Sequence, residues 1–185
     1  IDSFDELSRV VKIASDLKKV QKVYLRLTPG VDAHTHEFIS TAHEDVKFGF
    51  SIASGDAQIA IDKCMTESSL NLAGIHCHIG SQIFEVSGFE LAAQRLVAVL
   101  VAFRDKYSKE LAELNLGGGY GIAYTKNESA ISPAQVIPAI AKVIKSECEK
   151  AKLSVPKISI EPGRAIVGPT TTTIYMVGTT KSVTL

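Results

Sequence analysis

Residues 72–106, LAGIHCHIGSQIFEVSGFELAAQRLVAVLVAFRDK, hold one complete strand–turn–helix unit. Leu72 to Ile79 is short and apolar, which predicts a strand, and Gly80-Ser81-Gln82 stops it. Ser87 to Lys106 follows. Its Phe89, Ala92, Ala93, Leu96, Leu100 and Phe103 recur at the spacing of one helical face. Ser87 and Glu90 give the S-x-x-E pattern of a capping box at its start.

The same alternation extends in both directions. Upstream, Ser3 to Lys18 predicts a helix, with Phe4, Leu7, Val10, Val11, Ala14 and Leu17 in phase and a second capping box from Ser3 and Glu6. Val23 to Leu27 predicts a strand ending at Thr28-Pro29-Gly30. Residues 31–51 are polar, carry His34, His36 and His43, and show no sustained period, which predicts a long loop. Asp56 to Thr66 predicts a helix. Downstream, the strand Leu114 to Leu116 stops at Gly117-Gly118-Gly119. Ser132, Pro133 and Gln135 then open a helix that should turn Val136, Ile137, Ile140, Val143 and Ile144 inward. Lys157 to Ile160 predicts a last strand, ended by Glu161-Pro162-Gly163-Arg164.

Short apolar strands separated by helices imply an α/β fold with parallel pairing and right-handed crossovers. A βα barrel and an open doubly wound sheet both fit. After Gly168 the texture changes: Pro169 and four threonines lead into Ile174-Tyr175-Met176-Val177, with no helix behind them. Residues 1–168 are therefore expected to form the α/β domain, and 169–185 the start of a β-type domain.

Composition narrows the function classes. The 185 residues include 20 Lys+Arg and 20 Asp+Glu, a net charge of zero that gives no electrostatic footprint for nucleic acid or an anionic membrane. No apolar run approaches the ~20 residues of a membrane span, and nothing at the start reads as a signal peptide. Cys64, Cys77 and Cys148 lack CxxC spacing, so they read as partly buried, reduced thiols of a cytosolic protein rather than a disulfide framework or zinc ribbon.

Every predicted strand ends in a polar or glycine-rich motif, and in parallel α/β folds the carboxyl ends of the strands are where sites are built. Each motif also has a plain structural explanation. Gly117 to Gly119 could be a tight turn or an anion-binding cradle. Glu161 and Arg164 could form a local ion pair. His76 and His78, two apart on a strand, share one face and could be core or ligand residues. Arg26 could be a surface cation. The five histidines also raise a metal-dependent hydrolase. Against it, His34 and His36 lie in the loop and Arg164 would oppose a cation beside Glu161, so no metal ligand is assigned.

Four segments together carry a resemblance: VDAHTHEFISTAHEDVKFGFS at 31–51, GIHCHIGSQIF at 74–84, LNLGGGYGI at 114–122 and EPGRAIVGP at 161–169. In order and spacing they resemble the diaminopimelate decarboxylase family, within the barrel class of pyridoxal-phosphate (PLP) decarboxylases that also holds ornithine and arginine decarboxylases. The resemblance implies a partial (β/α)8 TIM-type barrel, from the tail of strand four to strand eight. It implies PLP as cofactor, an amino-acid substrate, and a cytoplasmic homodimer without nucleic-acid or membrane partners. The reaction implied is conversion of meso-diaminopimelate to L-lysine and CO2. Ornithine or arginine decarboxylation, or a non-catalytic PLP-fold binding protein, stand as alternatives.

By the same resemblance, Glu161 sits beside the cofactor's ring nitrogen and His78 stacks on the ring, with His76 one layer deeper. Ser81, Gly117, Gly118, Gly119 and the Pro162-Gly163 turn serve the phosphate end. Arg164 supplies a cation there and lies close to the substrate, with Arg26 and Lys47 as supporting charges. The family's Schiff-base lysine and second-domain cysteine have no counterpart in this sequence, so no residue here is assigned a catalytic role. Half a barrel should also expose strand edges at the strand from Val23 and the strand ending at Ile160. The isolated 185 residues are therefore expected to self-associate and to be catalytically silent.

Overall fold

The computed structural model describes residues 1–31 and 48–184. Five parallel strands make one sheet: β1 (Gln21–Thr28), β2 (Phe50–Ser51), β3 (Leu70–His76), β4 (Glu113–Asn115) and β5 (Lys157–Ser159). Their spatial order is β2-β1-β3-β4-β5. Helix α1 (Phe4–Asp16) precedes the sheet. Helices α2 (Asp56–Thr66), α3 (Val86–Tyr107) and α4 (Pro133–Lys150) make the crossovers. A short α5 (Gly163–Val167) follows β5 and runs into a 3-10 turn at Gly168–Thr170. Neighbouring parallel strands joined in sequence by helices form an arc of a βα barrel, one of the two architectures the alternation allows and the one the resemblance implies.

The two faces of the sheet differ. Along β1, Val23, Leu25 and Leu27 are buried while Tyr24 and Arg26 are half-buried. The buried set joins Ala60 and Ile61 of α2, Leu96 and Leu100 of α3, and Ile140 and Ile144 of α4 in one core. Each such leucine or isoleucine contributes about 1.5–3 kcal/mol relative to exposure, so the helical layer is what holds the sheet. The opposite face carries Tyr24, Arg26, His76, Glu113 and Asn115.

Local signals set most helix ends. At α4 both halves of the capping box form between Ser132 and Gln135. At α1 Ser3 Oγ accepts from the Glu6 amide at 3.2 Å, while Glu6 takes the Asp2 amide at 2.6 Å instead of that of Ser3. The box expected at Ser87 and Glu90 does not form. Helix α3 begins one residue earlier, after Glu85, and Ser87 Oγ contacts the Glu85 carboxylate at 3.4 Å. Ile137, expected inward, is 37% exposed on α4.

Two further expectations are corrected. Helix α3 has 22 residues and is long and apolar enough to cross a membrane, contrary to the estimate that no run comes close. Phe89, Ala92, Ala93, Leu96, Val97, Leu100 and Phe103 on it are buried, as in a core helix. Strand β1 is not an edge, because β2 pairs beyond it (Leu27 with Phe50, Thr28 with Ser51) and the Arg26 amide donates to Ile1 O at 2.9 Å. A two-residue strand inside a polar stretch leaves no period to read. Residues 171–184 form no strand, and Ile174 to Val177 are exposed. β-Propensity there has no ladder partner among the described residues.

Candidate functional site at the carboxyl rim of the sheet

Parallel register sets Arg26, His76, Asn115 and Ser159 in one row across β1, β3, β4 and β5. The loops after β3, β4 and β5 rise directly beyond that row, so all the predicted motifs but those in residues 32–47 meet at one rim.

The three glycines after β4 are explained by contact. A Cβ on Gly117 would lie 2.2 Å from Cys77 O, on Gly118 2.3 Å from Glu161 O, and on Gly119 2.3 Å from Gly80 O. Gly117 and Gly119 also have φ of +67° and +104°, which side chains disfavour. The triple glycine thus lets this turn touch the loops on either side. Two of its amides expected to face a phosphate have protein partners: Gly117 N–H donates to Asn115 Oδ1 at 2.9 Å and Gly118 N–H to His78 Nδ1 at 3.2 Å.

Gln82, with φ +57°, locks the loops further. It donates to Ile122 O at 3.0 Å and accepts the Ile122 amide at 2.9 Å. Ile83 N–H donates to Gly119 O at 2.9 Å, and Ile83 O accepts from Gly121 N–H at 3.0 Å.

Glu161 occupies the middle of the rim. Its Oε1 accepts from Asn115 Nδ2 at 2.8 Å and lies 3.5 Å from His76 Nε2. The side chain is 53% exposed, and Oε2 has no partner among the described residues. Burial pulls the His76 pKa below its ordinary value, outweighing the nearby carboxylate, so this contact is not an ion pair near neutral pH. Burial, reinforced by Arg26, also lowers His78. A neutral His78 is what acceptance of the Gly118 proton at Nδ1 requires.

Arg164, on the first turn of α5, donates from Nη2 to Ser81 Oγ at 3.0 Å and from Nη1 to the Tyr124 hydroxyl. Tyr124 is presented by a turn in which Glu128 accepts from the Tyr124 and Thr125 amides at 2.6 and 3.2 Å. Pro162 sits at the N-cap of α5, and beside Gly163, where a Cβ would meet nothing within 4 Å, the rim is open.

Arg26 is engaged by Asp2 at 3.2 Å and lies 4.6 Å over the Phe48 ring. Lys47, His34, His36 and His43 lie outside the described residues. Among the described residues no three His, Cys, Asp or Glu side chains gather as a metal site would require. All three cysteines are buried and unpaired with one another, and burial pushes the Cys77 thiol up to about 12. Asn115, Gln82 and Tyr124 were not foreseen, because their roles are contacts between loops distant in sequence. The only local signal was an Asn two residues before a glycine turn.

Chemically, the rim offers a carboxylate with one oxygen open, a neutral imidazole, and a guanidinium paired with a serine hydroxyl. That set suits a heterocycle with a protonated nitrogen at one end and an oxyanion at the other. Diaminopimelate decarboxylase from Corynebacterium efficiens is 46% identical over 99% of this chain and 40% of its own length. The enzyme of that name from Bacillus subtilis is 40% identical over 99% of this chain and 42% of its own. The crystal structure of diaminopimelate decarboxylase from M. jannaschii in co-complex with L-lysine superposes with a TM-score of 0.79 at 32% identity, covering 90% of this chain and 38% of that one. The chain therefore spans about two fifths of the length of these curated relatives. Residues 1–168 match the model of the pyridoxal-dependent decarboxylases' pyridoxal-binding domain, and it is to this family that the chain belongs.

Proposed function

We propose that this chain supplies the carboxyl-end rim of a pyridoxal-phosphate site in an enzyme that decarboxylates meso-diaminopimelate to L-lysine. The observation that carries this is Glu161: a carboxylate fixed through one oxygen by Asn115 and open at the other, on the rim shared by Ser81 and Arg164. When bound, pyridoxal phosphate supplies the electron sink for the carbanion left by loss of CO2. Glu161 holds a proton on the ring nitrogen, because an adjacent negative charge favours the protonated form. His78, neutral and fixed by Gly118, offers a flat face for stacking. Ser81 and Arg164 take the phosphate end, with the Gly117 to Gly119 turn shaping the wall and Pro162 and Gly163 leaving the approach open. Arg164 retains further N–H groups for a substrate carboxylate.

The substrate follows from the names of the relatives and from the family-like stretch at 31–51. The same proposal places residues 1–168 in the cofactor-binding barrel and 169–185 at the entry to a β domain. It also implies a cytoplasmic location and a homodimer, and sedimentation of the complete protein measures the second.

In the complete protein, Glu161→Gln should keep pyridoxal phosphate but lose about 10²–10³-fold in decarboxylation rate. Near-normal turnover with cofactor bound would overturn the role of Glu161. Faster decarboxylation of ornithine than of meso-diaminopimelate would overturn the substrate while leaving the cofactor site intact.

A further inference from the structure

We infer that Asn115 is a positioning residue for Glu161, coupling the glycine turn to the carboxylate and fixing its direction; this rests on the cofactor site proposed above. Asn115 is the last residue of β4, with its side chain on the rim row. Its two polar ends are both used. Oδ1 accepts the Gly117 amide at 2.9 Å, which fixes which end is oxygen, because an amide N–H can meet only an acceptor there. Nδ2 must then face Glu161, where it donates to Oε1 at 2.8 Å.

The surrounding bonds fix Glu161 from the backbone side as well. Its amide donates to Gly117 O at 2.8 Å, so Gly117 is gripped by Glu161 through its carbonyl and by Asn115 through its N–H. Cys77 N–H donates to Asn115 O at 3.0 Å, which ties the end of β3 to the same residue. The Glu161 side chain thus has a defined direction although it is half exposed, and its second oxygen is the one left for a ligand.

The other groups that bear on Glu161 make Asn115 distinctive. From β3, His76 contacts the same oxygen but is held neutral. His78, beyond β3, is also held neutral, and Arg26 on β1 is paired with Asp2. Arg164 turns to Ser81 and Tyr124. Among the described residues, Asn115 is thus the one donor within 3 Å of the carboxylate.

Asn115→Asp is the decisive variant. It matches the native shape and keeps an acceptor for Gly117 N–H, but sets a second carboxylate against Glu161. The complete protein, stripped of cofactor, is titrated with pyridoxal phosphate and followed by absorbance. Pyridoxal phosphate should bind about tenfold or more weakly at pH 8, with most of the loss recovered at pH 5.5, where the pair shares a proton. Asn115→Ala should weaken binding at both pH values alike, since it removes the donor without adding charge. If Asn115→Asp binds cofactor like wild type at both pH values while Glu161→Gln alters the absorbance of bound cofactor, the positioning role is wrong and the site stands. If Glu161→Gln leaves that absorbance unchanged, Glu161 is not at the ring nitrogen and both fail.

Discussion

Two glutamates on the same face of the sheet, one at the base and one at the rim, have been given opposite surroundings. Glu113, one row below Asn115 on β4, has Lys22 on one oxygen and the Tyr24 hydroxyl on the other, and its side chain is 17% exposed. The Lys22 ammonium, with Tyr24, holds its carboxyl below the ordinary range, and the same bond pushes the Tyr24 phenol up to about 12. Among the described residues Glu161 has no cation on it, only a neutral amide and a neutral imidazole, and keeps one oxygen open. With a donor on each oxygen and little of its surface exposed, the Glu113 carboxylate leaves a ligand no approach. The lower row closes the sheet, and the upper row is arranged to receive something.

The sharpest way to break this comparison is to neutralise each acid in turn in the complete enzyme. Glu161→Gln should cost about 10²–10³-fold in rate, while Glu113→Gln should leave the rate within about twofold and lower only the melting temperature. Equal losses of rate would erase the distinction. Next in size is the glycine turn. Gly118→Ala places a methyl group 2.3 Å from Glu161 O, so the protein should lose about 1–3 kcal/mol by chemical denaturation, together with cofactor retention. Gly163→Ala, opening on empty space, should be near neutral in the same assay. A tolerated Gly118→Ala would show that the loops after β4 and β5 are not packed as described.

Smaller effects test the edges of the rim. Tyr124→Phe removes the hydroxyl that receives Arg164 Nη1 but keeps the ring, whose centroid lies 6.0 Å from the guanidinium. Because the pair is exposed, cofactor affinity should fall only about threefold. Arg164→Ala should do more in the same titration, and a larger loss from Tyr124→Phe would reverse their roles. Last is the response to acid. His76 and His78 have folded-state values depressed below the ordinary 6.5, so the unfolded chain binds protons first as pH falls. Stability from keeping them neutral is complete above about pH 6.5 and declines as pH drops toward the depressed values. Melting temperature should therefore rise between pH 5 and pH 7, and His76→Gln should flatten that rise.

What could be read from the sequence follows from where each signal resides. The helix at 56–66 and the Ser132–Gln135 box were legible because helix phase and caps are local. So was the placement of Ser81, Glu161 and Arg164 on one rim, since parallel strands deliver their carboxyl ends to one side. The Ser87 box failed because Glu85, two residues before it, competed for the same turn. Strand β2 was missed because two residues carry no period. Asn115, Gln82 and Tyr124 were invisible as site residues because each acts on a residue 40 or more positions away.

The Gln82–Ile122 pair and the glycine contacts also bear on how this rim can change over evolutionary time. Loops at the ends of barrel strands ordinarily vary freely in length, which is how one scaffold acquires many chemistries. Here the loops after β3 and β4 are stitched to each other residue for residue. Adding or deleting one residue in either would slide Gln82 past Ile122 and bring a side chain where Gly80 O now meets Gly119. Length variation is left to stretches such as 123–131, which is mostly exposed. New substrate preferences in such a protein should arise there by insertion, and at the stitched loops only by exchange of one residue for another of the same reach.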